Sequence, residues 1–137
     1  TPMDVAILKD EERMELSIKE LTDNFQIFDI GSETINFYSS IIEGAKIIVM
    51  RGPAGYIEDK RFTKGSEELL KQIVRSGAKI ILGGGHLRNI AEKINVMDKI
   101  DFFSTGGGAF ISYISGEKLP GIEALIKSAN MFKSKKG

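Results

Sequence analysis

The sequence predicts an α/β fold with a mostly parallel sheet. Short runs rich in β-branched residues, at 46–50 and 79–82, alternate with longer segments whose apolar residues recur at spacings of three and four. The first pattern is typical of buried strands and the second of amphipathic helices. Strands and helices that alternate along a chain form parallel sheets with helices packed on their faces. We therefore expect right-handed crossovers and a Rossmann-like three-layer sandwich.

The amino-terminal part is predicted to hold three short strands. Residues 4–8 form a compact apolar run, which indicates a buried strand. Residues 14–18 alternate between apolar and polar side chains, a pattern typical of an edge strand or a hairpin arm. Residues 25–30 are a third apolar run, and Gly31 ends it.

Helices and strands are then expected in turn. Three segments, 32–43, 66–76 and 87–94, each place four apolar residues on one helical face. These residues are Ile35, Tyr38, Ile41 and Ile42; Leu69, Leu70, Ile73 and Val74; and Leu87, Ile90, Ala91 and Ile94. Ser66 is the expected N-cap of the second helix. The runs at 46–50 and 79–82 are predicted to be buried strands, and 101–103 a third strand.

Two further helices, over 109–115 and 121–131, are predicted to complete the chain. Pro120 stands near the start of the last one, where its missing N–H is harmless. The length of 137 residues is that of one domain, and 42% of the residues are hydrophobic, enough to build a core. We therefore expect residues 1–137 to form a single domain.

Composition excludes several classes of function. Lys+Arg and Asp+Glu both number 19, giving a formal net charge of +0, so no overall basic field favours nucleic acid or an anionic membrane. With no cysteine and one histidine, His86, the sequence excludes disulfides and metal sites built from thiolates or several imidazoles. No apolar run approaches the roughly 20 residues that cross a bilayer. A cytoplasmic location is expected.

Two triple-glycine turns are the most informative local feature. Residues 83–85 and 106–108 each follow a predicted strand and open a predicted helix. Glycine lets backbone N–H groups approach an anion closely, and a helix start carries unpaired N–H donors. Because both turns lie at the carboxyl edge of the predicted sheet, we expect a phosphate-binding ledge there. Tight turns without a ligand are the alternative, and neither a Walker A loop nor GxGxxG is present.

A third loop, residues 51–58, follows the strand at 46–50 and is expected on the same edge. Glu58 is a candidate acceptor for ribose hydroxyls, with a solvated loop carboxylate as the alternative. His86 also fits a satisfied structural histidine, and Ser104 and Thr105 fit a helix cap. A Ser-His-Asp hydrolase is disfavoured because the GxSxG elbow is absent: residue 102 is Phe.

Together these residues resemble the phosphoglycerate kinase family. The run STGGGA at 104–109, followed by GEKLPGI at 116–122 and then Ala124 and Leu125, is similar to the family's closing signature STGGGA…GxxLPG…AL. The run GGG at 83–85 is similar to the family's GGGD turn, and GPAGYIE at 52–58 to its GPxGxxE loop. DIG at 29–31 with Thr34, and DVA at 4–6, resemble the DIGPxT segment and the DVxV strand. These matches run in order over nearly the whole chain.

The resemblance implies phosphoryl transfer between 1,3-bisphosphoglycerate and ADP, giving 3-phosphoglycerate and ATP, with magnesium. It also implies two lobes joined by a hinge, of which this chain is part of the carboxyl-terminal, nucleotide-binding lobe. The implied site residues are Gly52, Pro53, Tyr56, Glu58, Gly84, Gly85, His86 and Leu87 for the nucleotide, with Glu58 on the ribose; Gly106, Gly107 and Gly108 for the transferred phosphoryl group; and Ser104 and Thr105 for the hinge segment.

Four positions depart from the family pattern. His86 stands where the family has an aspartate that contacts the metal–nucleotide, and a neutral imidazole is a poor ligand for magnesium, which prefers hard oxygen donors. Leu87 replaces a threonine, Arg51 an asparagine and Ser32 a proline. We interpret these departures as a divergent branch of the family, with an archaeal one as a candidate.

The amino lobe and the family's Gly-Ala-Lys segment, whose lysines contact the nucleotide, have no counterpart in the sequence. We therefore expect no turnover by these 137 residues alone, and ADP binding near millimolar or weaker. A free-standing nucleotide- or phosphate-binding module without catalysis and a fragment that binds nothing are the alternatives. Loss of strands flanking residues 4–8 would expose an apolar sheet edge, and such edges favour self-association.

Overall fold

The computed structural model describes residues 1–133, and the side chains of residues 1–132. The chain divides into two compact units, Thr1–Thr105 and Gly106–Gly137. The first unit contains six strands: β1 Asp4–Lys9, β2 Glu12–Ser17, β3 Ile27–Ile30, β4 Ile47–Arg51, β5 Lys79–Gly83 and β6 Phe102–Ser104. Its helices are α1 Ser32–Glu43, α2 Lys64–Arg75 and α3 Gly85–Lys93, with short 3-10 turns at Lys60–Phe62 and Met97–Lys99. The second unit contains α4 Gly107–Ile114 and α5 Pro120–Lys133.

The first three strands form an antiparallel sheet in the order β2-β1-β3. A tight turn at Asp10 and Glu11, both with positive φ, joins β1 to β2. The edge strand or hairpin arm predicted at residues 14–18 corresponds to β2, which ends at Ser17. The prediction of an exposed sheet edge at residues 4–8 was wrong, because β2 and β3 flank β1 on both sides. β2 and β3 are the outer strands of this sheet.

The last three strands form a parallel sheet in the order β4-β5-β6, which confirms the predicted α/β fold class. Alternate residues of β5, Ile80 and Leu82, point into a core that α2 and α3 complete. The buried members of this core are Leu70, Ile73, Ile80, Leu82, Leu87, Ile90, Ala91 and Val96. The apolar helical faces predicted for α2 and α3 are therefore the faces that pack on the sheet.

The opposite face of the parallel sheet carries exposed apolar side chains. Ile47, Val49 and Phe102 are 62%, 45% and 55% exposed, and we call these three residues the open face. The prediction that β4 is wholly buried was wrong, since only Ile48 and Met50 pack against the core of α2 and α3. A β-branched run marks a strand, but it does not tell how many faces of that strand are covered.

The start of α1 is capped by a residue from β1. The N-cap residue, Gly31, has no side chain, and the Asp4 carboxylate instead accepts hydrogen bonds from the N–H groups of Glu33 (3.0 Å) and Thr34 (2.8 Å). The Thr34 hydroxyl lies 2.7 Å from the same carboxylate. A Cβ at residue 31 would overlap the Asp4 carboxyl group, so glycine is required there by lack of space.

The start of α2 differs from the prediction. The helix begins at Lys64 after Thr63, so Ser66 is its third residue and not its N-cap. Ser66 is fully buried, and its hydroxyl accepts a hydrogen bond from the Ala54 N–H at 2.9 Å. The N-cap preference of serine is statistical, and here a distant loop takes the hydroxyl.

A polar cluster around Glu15 ties the antiparallel sheet to α1 and α2. The carboxylate accepts hydrogen bonds from the N–H and hydroxyl of Ser32 (2.9 and 3.0 Å), from Lys64 Nζ (3.2 Å) and from Arg13. Burial by itself raises the pKa of Glu15, but these hydrogen bonds outweigh burial and hold the pKa at about 2, below its ordinary value of 4.5. Glu15 is therefore ionised wherever the chain is folded near neutral pH.

The described residues of the second unit form two helices. In α4 the first intrahelical hydrogen bond runs from the Phe110 N–H to the Gly106 carbonyl, at 2.8 Å. Pro120 is the first residue of α5, close to its predicted position at the helix start. Within residues 1–133, no helix is long and apolar enough to cross a membrane.

We predict that Asp4→Ala lowers the free energy of unfolding by about 1.5–3 kcal/mol, because two helix N–H groups lose a charged acceptor. Urea denaturation at neutral pH measures the change. Asp23→Ala, which removes an exposed carboxylate, is the control and should stay within about 0.5 kcal/mol of the wild type. Equal losses in the two variants would contradict the capping role.

Glu15→Gln is expected to lower the free energy of unfolding by about 1.5–3 kcal/mol near neutral pH, since hydrogen bonds to a charged group are lost. The pKa of Glu15 is depressed in the folded chain, so its contribution is complete above about 4.5 and is lost as the pH falls to about 2. The stability difference between wild type and variant should therefore shrink over this range. Urea titrations at several pH values test this, and a constant difference would contradict it.

Candidate nucleotide-binding edge

The carboxyl ends of the three parallel strands lie in one row. Arg51 of β4 pairs with Gly83 of β5, and Gly83 pairs with Ser104 of β6. Two main-chain hydrogen bonds continue the pairing past the strands, from Gly52 N–H to the Gly83 carbonyl (3.2 Å) and from Gly84 N–H to the Ser104 carbonyl (3.1 Å). The segments that begin at residues 52, 84 and 105 therefore leave the sheet side by side, at the edge where open α/β sheets bind ligands.

The first of these segments, the 52–58 loop, is held at alternate residues. Besides the Gly52 bond, the Ala54 N–H donates to Ser66 Oγ (2.9 Å) and the Tyr56 N–H donates to the Phe28 carbonyl (2.7 Å). Gly52 has a φ of 72°, a conformation that favours glycine. The loop is thus attached to both sheets and to α2.

The predicted ligand-facing residues of this loop are accessible. Tyr56 is 49% exposed, with its ring 6.0 Å from that of Phe28, and Glu58 is exposed. Pro53 is half-buried. An amphipathic ring and a free carboxylate on one short loop offer a planar surface and an acceptor for hydroxyl groups.

Gly55 lies against a buried carboxylate. Asp29 is 2% exposed, and a Cβ at residue 55 would overlap both this carboxyl group and the Phe62 carbonyl. Burial raises the pKa of Asp29 above its ordinary value, while hydrogen bonds from the Gly65 and Ile30 N–H groups, each 2.9 Å, act in the opposite direction. The conformation of the 52–58 loop therefore depends on a close approach that only glycine allows.

The second segment turns directly from β5 into α3. Gly84 has a φ of 105° and precedes Gly85, the first residue of the helix. Gly85 and His86 are exposed, whereas the Leu87 side chain is fully buried in the core. The N–H groups of Gly85, His86 and Leu87 belong to the first helical turn, which has no intrahelical acceptors for them. Leu87 can thus contribute to ligand binding through its N–H but not through its side chain.

The third segment contains the predicted hinge. Ser104 ends β6 in the first unit, half-buried, and Thr105 is the exposed last residue of that unit. Gly106 precedes α4, and Gly107 and Gly108 are its first two residues in the second unit. The helix start predicted at the second glycine triplet is therefore present. The site residues of the first unit share one sheet edge, and the glycines of the second unit open a helix of their own.

Positive charge and metal ligands are sparse at this edge. Arg51 is exposed at the end of β4, opposite Gly83, and the neighbouring turn carries His86. Asp59, the carboxylate that follows Glu58, is engaged by the Arg61 guanidinium, which lowers the pKa of Asp59. Among residues 1–133, no group of three or more His, Asp or Glu side chains is placed to hold a metal ion.

The sequence analysis did not identify the residues that contact the buried side of the 52–58 loop. These are Phe28, through its carbonyl, Asp29 and Ser66. The signal for Asp29 was a lone carboxylate inside an apolar run, IFDI at 27–30, which indicates a buried charge with partners elsewhere. No sequence pattern pairs Ser66 with Ala54, twelve residues away.

Comparisons with known proteins agree on one family. The phosphoglycerate kinase family model matches residues 1–117. The chain is 46% identical over 125 residues to phosphoglycerate kinase of Methanothermus fervidus, and 45% identical over 130 residues to that of Methanococcus maripaludis. These alignments cover 91% and 93% of this chain but 30% and 31% of the relatives, so the chain spans about a third of their length.

Solved structures show the same relationship. The crystal structure of phosphoglycerate kinase from Pyrococcus horikoshii OT3 matches 95% of this chain with a TM-score of 0.83 and 38% identity, over 33% of its own length. Phosphoglycerate kinase from Coxiella burnetii matches 89% of the chain with a TM-score of 0.79 and 32% identity, also over 33% of its own length. With the family model covering most of the sequence, the chain belongs to the phosphoglycerate kinase family.

Proposed function

We propose that this chain is the nucleotide-binding part of a phosphoglycerate kinase. The enzyme transfers a phosphoryl group between 1,3-bisphosphoglycerate and ADP to give 3-phosphoglycerate and ATP. The observation that carries the proposal is the common register of Arg51, Gly83 and Ser104, from which three loops leave one sheet edge. A cytoplasmic location is part of the proposal.

In this proposal the nucleotide lies along the edge, with its base and ribose on the 52–58 loop. Pro53 and Tyr56 line the adenosine pocket beside Gly52, and Glu58 accepts hydrogen bonds from the ribose hydroxyls. The exposure of Tyr56 and Glu58 supports these roles. Burial of the apolar tyrosine ring against a base supplies affinity, and the carboxylate fixes the orientation of the sugar.

The phosphates lie over the turn into α3. Gly84 and Gly85 let the main chain approach the phosphate oxygens, and the N–H groups of His86 and Leu87 add donors from the helix start. The partial positive charge of a helix N-terminus favours the anion. Arg51, exposed beside this turn, is a further phosphate contact in the same proposal.

The transferred phosphoryl group is assigned to Gly106, Gly107 and Gly108. Charge on a phosphoryl group in transfer is spread over its equatorial oxygens, and fixed N–H dipoles stabilise it without reorganisation. The start of α4 at Gly107 provides such dipoles. Ser104 and Thr105, between β6 and α4, are assigned to the hinge segment.

Magnesium, which the family uses with ATP and ADP, finds no fitting ligand set in this part of the chain. Residues 1–133 contain no acidic cluster for a metal, and the side chain at the α3 turn is the imidazole of His86. Magnesium takes oxygen ligands in near-octahedral geometry and is commonly shared with substrate phosphates. His86 is therefore assigned no magnesium contact in this proposal.

The glycerate substrates require parts of the relatives that this chain does not span, so we propose that the isolated chain is inactive. The alternative is a free-standing nucleotide- or phosphate-binding module without catalysis, because the same sheet edge would bind the ligand in both cases. Self-association is a separate proposal, supported by the open face and by β4 at the edge of the parallel sheet.

An NMR titration of the purified chain with ADP tests the proposal. We expect shifts at the amides of Gly84 and Gly85, with a Kd near millimolar. Glu58→Gln should raise the Kd about tenfold, because one charged acceptor is lost, while Glu43→Gln, at the exposed end of α1, should leave it unchanged. A coupled ATP-forming assay should show no turnover.

Three outcomes would contradict these statements. Absence of amide shifts at tens of millimolar ADP would remove the nucleotide-binding role and leave a fragment that binds nothing. Turnover by the isolated chain would overturn its inactivity. An equal loss of affinity in the Glu58 and Glu43 variants would remove Glu58 from the ribose contact.

A further inference from the structure

The 52–58 loop has one anchor that a side chain supplies. Its Gly52 and Tyr56 N–H groups donate to main-chain carbonyls of the two sheets, which any sequence with this fold provides. Its Ala54 N–H donates to Ser66 Oγ, at 2.9 Å. The hydrogen bond of Ala54 therefore depends on a side chain, whereas those of Gly52 and Tyr56 depend only on the backbone.

Ser66 is placed rigidly. Its side chain is fully buried in the first turn of α2, next to Gly65. The Gly65 N–H donates to Asp29 Oδ2 at 2.9 Å, and a Cβ at residue 65 would overlap the same carboxyl group. The start of α2 therefore cannot move without breaking its contact with Asp29.

Asp29 is equally fixed. Its side chain is 0% exposed, it accepts the Ile30 N–H at 2.9 Å, and it lies 3.7 Å from the Arg13 guanidinium. On its other side it faces Gly55, in the middle of the loop. Asp29, Gly65, Ser66 and Ala54 thus form a continuous series of contacts from the antiparallel sheet to the loop.

We propose that Ser66 is a positioning residue for nucleotide binding: its buried hydroxyl fixes Ala54 so that Tyr56 and Glu58 are presented in their binding arrangement before the nucleotide arrives. The inference rests on the proposed nucleotide-binding role of the 52–58 loop. Ser66 touches no ligand itself and acts through the loop. A loop that is ordered in advance loses less conformational entropy on binding than one that is ordered by the ligand.

Substitutions at Ser66 separate this role from general packing. Ser66→Ala removes the acceptor and leaves Ala54 N–H without its partner, whereas Ser66→Thr keeps a hydroxyl at the same position. Ser39→Ala is the matched control, because Ser39 Oγ donates to the Ile35 carbonyl at 2.8 Å on α1, outside the loop. Ser66→Cys, close to serine in size but a weak acceptor, serves if the alanine variant does not fold.

Two readouts are needed, amide hydrogen exchange at Ala54 by NMR and the Kd for ADP. In Ser66→Ala we expect exchange at Ala54 to accelerate about tenfold or more and the Kd to rise about five- to tenfold. Exchange at the β5 amides should stay unchanged. Ser66→Thr should restore both values, and Ser39→Ala should alter neither.

The proposal is overturned if Ser66→Ala, or Ser66→Cys in its place, leaves Ala54 exchange and the Kd at their wild-type values. It is also overturned if Ser66→Thr fails to restore them, or if β5 exchange accelerates in parallel, which marks a general loss of stability. If the wild-type chain binds no ADP, the proposed function fails, and the role of Ser66 in binding fails with it. Failure of the Ser66 contact alone gives a different result: the wild-type chain binds ADP, but Ser66→Ala changes neither the Ala54 exchange rate nor the Kd.

Discussion

The buried carboxylate of Asp29 is the group on which the candidate site depends. A carboxylate removed from water is tolerated only when it is hydrogen-bonded and paired, and Asp29 obtains its partners from β3, from the start of α2 and from Arg13 of β2. Each of those elements is consequently held at a set distance from the others. Gly55 and Gly65 contact the carboxyl group so closely that neither position has room for a side chain.

Two sheets meet at the 52–58 loop, and each has a different task. The parallel sheet aligns the carboxyl ends of β4, β5 and β6, so that their loops leave one edge. The antiparallel sheet contacts the 52–58 loop through the Phe28 carbonyl and through Asp29. A loop that is attached on both sides presents its exposed residues in a defined direction, which is what a binding surface requires.

The same fold leaves apolar surface uncovered in the part of the chain that the structure describes. Ile47, Val49 and Phe102 of the open face are exposed to solvent. The other face of the parallel sheet packs against α2 and α3. Full burial of such an apolar side chain contributes about 1.5–3 kcal/mol, and these three residues, being 45–62% exposed, forgo roughly half of it. This surface supports the self-association proposed above, and its exposure lowers the stability of the isolated chain.

The sequence alone determined the order of the elements, the apolar faces of α2 and α3, and the three glycine-containing loops, because these follow from local periodicity and from the absence of Cβ atoms. The family's ordered motifs pointed to the same site. Tertiary structure decided the rest: that β1 lies between β2 and β3, that Asp4 caps α1, that one side of β4 is exposed, and that Ser66 holds Ala54. These features join residues that are far apart in the chain, and a hydrogen bond or a covered face depends on distances that only the folded molecule sets.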